Sequence, residues 1–87
     1  MTKVEIYTSA ACGYCGAAKR FFGERGLHPV EYRIDLDAAR LAEMLERSGR
    51  RRSVPQIFIN DTHVGGFDDL VRLDREGGLQ PLLEGAP

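Results

Sequence analysis

Apolar residues along the chain alternate with polar ones in some segments and recur at helical spacing in others. Val4 and Ile6 alternate with Lys3 and Glu5, which predicts a strand over residues 3–7. A helix is predicted over residues 14–25, and its positions at helical spacing are Ala18, Phe21, Phe22 and Arg25, with Gly26 as the stop. The first two predicted elements are therefore a strand and a helix.

The next two segments repeat this order. Val30, Tyr32 and Ile34 alternate with charged residues, which predicts a second strand with one buried face. A second helix is predicted over residues 38–47, ending at Ser48-Gly49. On such a helix, one face carries Leu41, Met44, Leu45 and Ser48.

The remaining segments predict a hairpin and two helices. Residues 56–59 and 62–64 indicate two strands joined by a tight turn at Asn60-Asp61. A third helix over residues 67–73 has an acidic start and ends at Gly77-Gly78, and a short helix covers residues 79–83.

The order β-α-β-α-β-β-α predicts an α/β fold. One right-handed parallel crossover precedes an antiparallel hairpin. We therefore expect a thioredoxin-like arrangement, a four-stranded mixed sheet flanked by three to four helices, in a single domain over residues 1–87.

Charge and hydropathy exclude several classes of function. Twelve Lys and Arg against thirteen Asp and Glu leave a net charge of -1, so we expect no nucleic-acid or anionic-membrane partner. No apolar stretch approaches the roughly 18 residues of a membrane span, and the N-terminus lacks the pattern of an export signal. We expect a cytoplasmic protein, in which a cysteine pair is more often catalytic or metal-binding than structural.

Cys12 and Cys15 form a Cys-x-x-Cys sequence at the predicted start of the first helix. The helix N-terminus favours a thiolate, so Cys12 is the expected nucleophile and Cys15 the resolving residue. Lowering a thiol pKa from about 8.5 to near 5 requires roughly 5 kcal/mol, whereas a helix dipole supplies only ~0.3 to 1 kcal/mol. Hydrogen bonds to sulfur and a nearby cation must supply most of the difference.

Two alternatives for the cysteine pair stay open. A structural disulfide over so short a loop would contribute only about 2 kcal/mol, and a reducing compartment opposes it. A zinc site needs four ligands, and only His28 and His63 could complete it, neither at a recognised spacing. We interpret both histidines, and Lys19, as surface residues.

At this point the sequence resembles the glutaredoxin family, most closely its small bacterial class with two active-site cysteines. The resemblance runs from Val4 to about Leu83. Its motifs are Ile6-Tyr7-Thr8, Cys12-Gly13-Tyr14-Cys15, Ser53-Val54-Pro55-Gln56-Ile57-Phe58-Ile59 and Gly65-Gly66-Phe67-Asp68-Asp69-Leu70. Thioredoxins usually carry a Trp before Cys-Gly-Pro-Cys, and this chain has no Trp. The resemblance implies a glutathione-dependent oxidoreductase that reduces protein-glutathione mixed disulfides and protein disulfides.

The resemblance also implies a glutathione site. Pro55 would be cis and face Cys12, while the Val54 backbone pairs with the cysteinyl unit of glutathione. From the residues alone, the favoured interpretation is that Pro55 begins an edge strand. The residues expected to bind glutathione are Tyr14, Ser53, Val54, Pro55, Gly66, Phe67, Asp68 and Asp69, together with Arg52, which matches no family position and is considered below. Asp68 would bind the ammonium group, although an ordinary helix cap explains the same residues.

Two departures from the family pattern matter. Ser9 stands where relatives commonly have a Lys, so we expect Arg52, with Arg51, to replace the lost charge, unless these arginines form only a solvated turn. Gly13 stands where many relatives have Pro. Some relatives with a small residue there hold a two-iron cluster between two subunits, with Cys12-like thiolates and two glutathiones as ligands.

The implied partners follow from this chemistry. They are glutathione, glutathionylated or disulfide-containing proteins with ribonucleotide reductase as a candidate, and glutathione reductase indirectly. We expect a monomer that dimerises only with a cluster. The competing hypotheses are an iron-sulfur carrier and a redoxin reduced by thioredoxin reductase.

Overall fold

The computed structural model describes residues 2–85 of the chain, which form one four-stranded sheet with helices on both faces. The elements in chain order are β1 Val4–Thr8, α1 Gly13–Gly23, β2 Val30–Arg33, α2 Ala38–Arg47, β3 Gln56–Ile59, β4 Thr62–Gly65, α3 Phe67–Arg75 and α4 Leu79–Leu83. The predicted order of elements is confirmed.

The sheet has the strand order β2-β1-β3-β4. Strand β1 pairs in parallel with β2, while β3 runs antiparallel to both β1 and β4. The mixed sheet and the thioredoxin-like fold predicted from the sequence are therefore confirmed. Asn60 and Asp61 form the hairpin turn with φ of 48° and 68°, the backbone of a two-residue turn.

Two hydrophobic clusters cover the two faces of the sheet. The larger joins the sheet to α1, α3 and α4 and consists of Val4, Ile6, Ala18, Phe22, Ile57, Ile59, Leu70, Leu79 and Leu83. The smaller lies under α2 and consists of Tyr7, Met44 and Phe58. Because both faces are covered, all five residues of β1 are buried.

Glu5 is buried in β1 because its charge is paired. Its carboxylate accepts hydrogen bonds from Arg47 at 3.0 Å and from the Tyr32 hydroxyl at 2.9 Å. Burial raises the pKa of Glu5, but these hydrogen bonds outweigh it and hold the pKa below its usual value.

The expectation of one buried face for β2 is wrong at Val30. Its side chain is 50% exposed and belongs to neither hydrophobic cluster, and it is the first residue of the edge strand β2. Tyr32 and Ile34 pack on the smaller cluster as expected.

Some predicted boundaries shift by one or two residues. Helix α1 ends at Gly23 rather than Arg25, because the Leu27 N–H already returns to the Phe22 carbonyl at 3.0 Å. Helix α3 continues to Arg75, two residues beyond the prediction. Within residues 2–85, no helix has the length and apolar character needed to cross a membrane.

Candidate active site

Cys12 is the N-cap residue of α1, with an extended backbone at φ −109° and ψ 103°. The backbone N–H of Cys15 donates to the Cys12 sulfur across 3.1 Å. A sulfur at this position replaces the oxygen of a usual N-cap side chain and faces the positive end of the helix dipole. The arrangement stabilises a thiolate on Cys12 once the pair is reduced.

The two cysteines form a disulfide, with their Cα atoms 5.2 Å apart. Cys12 is partly exposed, whereas Cys15 is 3% exposed and packs beneath the first turn of the helix. A substrate can therefore approach Cys12 but not Cys15. Cys12 is therefore the accessible sulfur of the pair.

The loop before Cys12 is anchored by a carboxylate that the sequence did not indicate. The Ala10 N–H donates to Asp35 at 3.2 Å, and Arg33 donates to the same carboxylate at 2.6 Å. The hydrogen bonds from Arg33 hold the pKa of Asp35 well below its usual range. Ser9 is partly exposed in this loop, at the position where the resemblance expected a cation.

Pro55 follows a cis peptide bond from Val54, as the resemblance implied. The Val54 carbonyl oxygen lies 3.7 Å from the Cys12 sulfur. The alternative that Pro55 begins an edge strand is wrong, since β3 lies between β1 and β4 in the sheet. The segment before β3 thus forms one wall beside the reactive sulfur.

A groove of about 320 Å³ runs along this wall. Its lining residues are Tyr14, Arg51, Ser53, Val54, Pro55, Gly66, Phe67 and Asp68. The structure therefore brings together most of the predicted glutathione-binding residues. The groove lies between the start of α1, the cis-proline segment and the start of α3.

Two predicted residues lie outside the lining of this groove. Arg52 lies in a separate cavity beside α2, together with Leu45 and Arg50, whereas Arg51 lines the groove. Asp69 lies behind the groove, where its carboxylate accepts the Gly66 N–H at 2.8 Å.

Asp69 also orients Arg51. Its carboxylate lies 3.3 Å from the Arg51 guanidinium. The Gly66 N–H, followed by Arg51, holds the pKa of Asp69 below its usual value. Gly65 leaves room for this pair, because a Cβ there would lie 2.9 Å from Arg51 Nη1.

Tyr14 and Phe67 form the apolar side of the groove. Tyr14 is 69% exposed, and its ring stacks on Phe67 at 6.3 Å between centroids. Phe67 is partly buried against the core, and the exposed Tyr14 ring beside the reactive sulfur can cover the apolar part of a bound peptide.

The part of the chain that the structure describes contains no cluster of side chains that could bind zinc. No group of three or more His, Cys, Asp or Glu side chains is placed to hold a metal ion there. His28 is exposed, and His63 is hydrogen-bonded to Gln56 at 2.7 Å.

Known proteins have sequences similar to this chain. The sequence model of the family described as Glutaredoxin matches residues 4–64. Glutaredoxin 3 of Escherichia coli strain K12 is 51% identical over 84 residues, which cover 97% of this chain and all of that protein.

Solved structures are similar as well. The crystal structure of a buckwheat glutaredoxin-glutathione complex has a TM-score of 0.84 at 30% identity, covering 97% of this chain and 78% of that one. The solution structure of glutaredoxin from Brucella melitensis has a TM-score of 0.78 at 46% identity, covering 95% of this chain and 89% of that one.

Proposed function

Because the chain belongs to the glutaredoxin family and is a glutathione-dependent thiol-disulfide oxidoreductase, we propose that its reaction proceeds through Cys12 in the groove beside Pro55. The observation that carries this assignment is the partly exposed Cys12 sulfur at the N-terminus of α1, hydrogen-bonded by the Cys15 N–H at 3.1 Å. The buried Cys15 is the resolving residue.

For a protein-glutathione mixed disulfide, the Cys12 thiolate attacks the glutathione sulfur. The bond between protein and glutathione breaks, the protein thiolate leaves and takes a proton, and Cys12 becomes glutathionylated. A second glutathione thiolate then attacks that glutathione sulfur. Glutathione disulfide leaves, the Cys12 thiolate is regenerated, and glutathione reductase returns the disulfide to glutathione.

For a protein disulfide, Cys12 attacks one sulfur and forms a mixed disulfide with the protein. The Cys15 thiolate then attacks Cys12, releases the protein thiol and closes the intramolecular disulfide. The 5.2 Å separation of the two Cα atoms supports this step, since it lies within the range of disulfides. Two glutathione molecules reduce the pair again.

The groove supports the following assignment of glutathione contacts. The Val54 backbone pairs with the cysteinyl unit, and Tyr14 and Phe67 cover it. The backbone at the start of α3 and the Asp68 carboxylate bind the glutamyl end. Ser53, Pro55, Gly66 and Asp69 shape this surface.

Arg51 is the cation that replaces the missing Lys at Ser9. The sequence favoured Arg52, but Arg51 is the arginine that lines the groove and is held there by Asp69. A guanidinium binds a carboxylate of glutathione through charge-assisted hydrogen bonds. Arg52 can add only a longer-range contribution from its position beside α2.

A second capacity, carriage of a two-iron cluster by a glutathione-ligated dimer, rests on Gly13. A Cβ at Gly13 would meet no atom within 4 Å, so the space beside the Gly13 backbone is open, and we propose that a second subunit approaches there. Anaerobic reconstitution with iron, sulfide and glutathione should give a coloured dimer. A colourless monomer contradicts this capacity.

The substrates in this proposal are glutathionylated and disulfide-containing proteins, with ribonucleotide reductase as a candidate. The reaction consumes reduced glutathione, and we therefore place the protein in the cytoplasm, as a monomer in the absence of a cluster.

A turnover assay tests the proposed function. The reduced protein is given a glutathionylated peptide, and NADPH oxidation is followed with glutathione plus glutathione reductase or with thioredoxin reductase alone. Turnover is expected only with the glutathione system. Turnover only with thioredoxin reductase would assign the chain to the competing class of redoxins.

A further inference from the structure

The segment opposite Cys12 is not held by backbone hydrogen bonds. Among the loops and caps within residues 2–85, no backbone-backbone hydrogen bond includes residues 52–55. Pro55 has no N–H to donate. The Val54 carbonyl nevertheless lies 3.7 Å from the Cys12 sulfur, at the wall of the groove. Val54 packs on the smaller hydrophobic cluster, and the hydrogen bonds that hold the segment come from a side chain.

That side chain belongs to Gln56, the first residue of β3. Gln56 is fully buried, and its Nε2 donates to the Ser53 carbonyl at 3.0 Å and to the Ser53 hydroxyl at 3.2 Å. A carbonyl oxygen only accepts hydrogen bonds, so the contact with the Ser53 carbonyl shows which way the Gln56 amide is turned. The Gln56 oxygen then points away from Ser53 and toward β4.

His63 occupies the place toward which that oxygen points. Its Nε2 lies 2.7 Å from Gln56 Oε1, and since the oxygen only accepts, Nε2 carries the hydrogen and donates. His63 is opposite Phe58 in the β3–β4 ladder and stacks on its ring at 4.9 Å. Gln56 and Phe58 share one face of β3, so His63 is the diagonal neighbour of Gln56.

His63 was expected to be a surface residue, and this is wrong. The ring is half-buried because it packs on Phe58 and reaches the Gln56 amide. The chain of hydrogen bonds runs from β4 through Gln56 to Ser53. It ends one residue before the carbonyl that faces the reactive sulfur.

We propose that Gln56, itself oriented by His63, is a positioning residue for substrate recognition. It holds Ser53 and thereby keeps the backbone edge of Val54 at a fixed distance from Cys12. None of the hydrogen bonds described for residues 2–85 uses the Val54 N–H, so this edge is available to pair with an extended substrate. The inference rests on the proposed function, in which that substrate is the cysteinyl unit of glutathione.

The expected consequence is a change in binding rather than in chemistry. If the Val54 backbone edge moves, it must be ordered when the substrate binds, and this cost weakens binding. The attack by the Cys12 thiolate is unaffected. Removal of Gln56 or His63 should therefore raise KM for a glutathionylated peptide and leave kcat nearly unchanged.

Two variants and two matched controls test the proposal. Gln56→Met keeps the length of the side chain without its hydrogen bonds, and His63→Phe keeps a ring on Phe58 without the Nε2 hydrogen. Gln80→Met and His28→Phe make the same changes at exposed positions away from the groove. KM, kcat and thermal unfolding are measured for all four variants with a glutathionylated peptide and the glutathione system.

Gln56→Met is expected to raise KM about fivefold and His63→Phe about twofold, with kcat within about twofold of the parent and both controls unchanged. An unchanged KM in folded Gln56→Met overturns the proposal. If Gln56→Met does not fold, an unchanged KM in His63→Phe overturns it. Absence of turnover by the parent protein would instead remove the proposed function, so the two failures are distinguishable.

Discussion

The Cys12 sulfur lies 3.1 Å from the backbone nitrogen of Cys15 and 3.7 Å from the carbonyl oxygen of Val54. The first contact stabilises negative charge on the sulfur, whereas the second places the sulfur against the backbone edge that a substrate can pair with. The Cys12 sulfur therefore contacts both the start of α1 and the cis-proline segment.

The two cysteines should respond differently to substitution. Cys12→Ser is expected to abolish both the reduction of glutathionylated peptide and the reduction of protein disulfides, because the attacking sulfur is lost. Cys15→Ser is expected to retain the first reaction and lose the second, because only the second needs a resolving thiolate. Glutathione-coupled turnover of both substrates checks this, and an active Cys12→Ser variant would contradict the assignment of roles.

The Cys12 thiol should titrate below its ordinary pKa of about 8.5 in the reduced protein. Ser9→Lys should lower this pKa further by about half a unit, equivalent to roughly 0.7 kcal/mol, because it adds a cation to the loop before Cys12. Thiolate absorbance followed against pH measures both values. Ser9→Gln is the neutral control, and an equal shift in that variant would show that charge is not the cause.

Arg51 and Arg52 should contribute unequally to glutathione binding. Arg51→Met is expected to raise KM for glutathione about five- to tenfold, since a charge-assisted hydrogen bond is lost, and Arg52→Met should raise it less. Steady-state kinetics at low and high salt check this, because salt should weaken glutathione binding more in the parent than in Arg51→Met. A larger effect from Arg52→Met would return the role to the arginine that the sequence favoured.

Asp69 should stabilise the protein in a pH-dependent way. Its folded pKa lies below the usual value, so its contribution is present above the unfolded pKa of about 3.8 and is lost as pH falls through the folded pKa. Asp69→Asn is therefore expected to lower the free energy of unfolding by about 1 kcal/mol at pH 7, and by less as pH falls below 4. Urea unfolding from pH 7 to pH 3 measures this difference, and a constant difference would exclude the carboxylate as its origin.

Gly65 should tolerate substitution worse than Gly77, although both have positive φ, +115° and +79°. A Cβ at Gly65 would lie 2.9 Å from Arg51 and also meet Asp69, whereas a Cβ at Gly77 would meet nothing within 4 Å. Gly77→Ala isolates the backbone cost of about 1 kcal/mol, and Gly65→Ala is expected to cost about 2 to 3 kcal/mol. Chemical unfolding of both variants checks this, and equal losses would show that the Arg51–Asp69 pair is not displaced.

The sequence by itself determined the order of the elements, the sheet and the placement of Cys12 at a helix start. These features depend on local patterns: alternation of apolar residues, helical spacing and the two-residue turn at Asn60-Asp61. The resemblance to the family added the cis bond before Pro55, where the residues alone favoured the start of an edge strand.

Only the tertiary structure decided which arginine lines the groove and which residues the Gln56 side chain contacts. The chain turns at Arg50 with φ of +73°, and after it Arg51 lies against Asp69 while Arg52 lies beside α2. No local pattern encodes that divergence, because it depends on where α3 lies across the sheet. The Gln56–His63 contact likewise needs the pairing of β3 with β4, which brings together side chains seven residues apart.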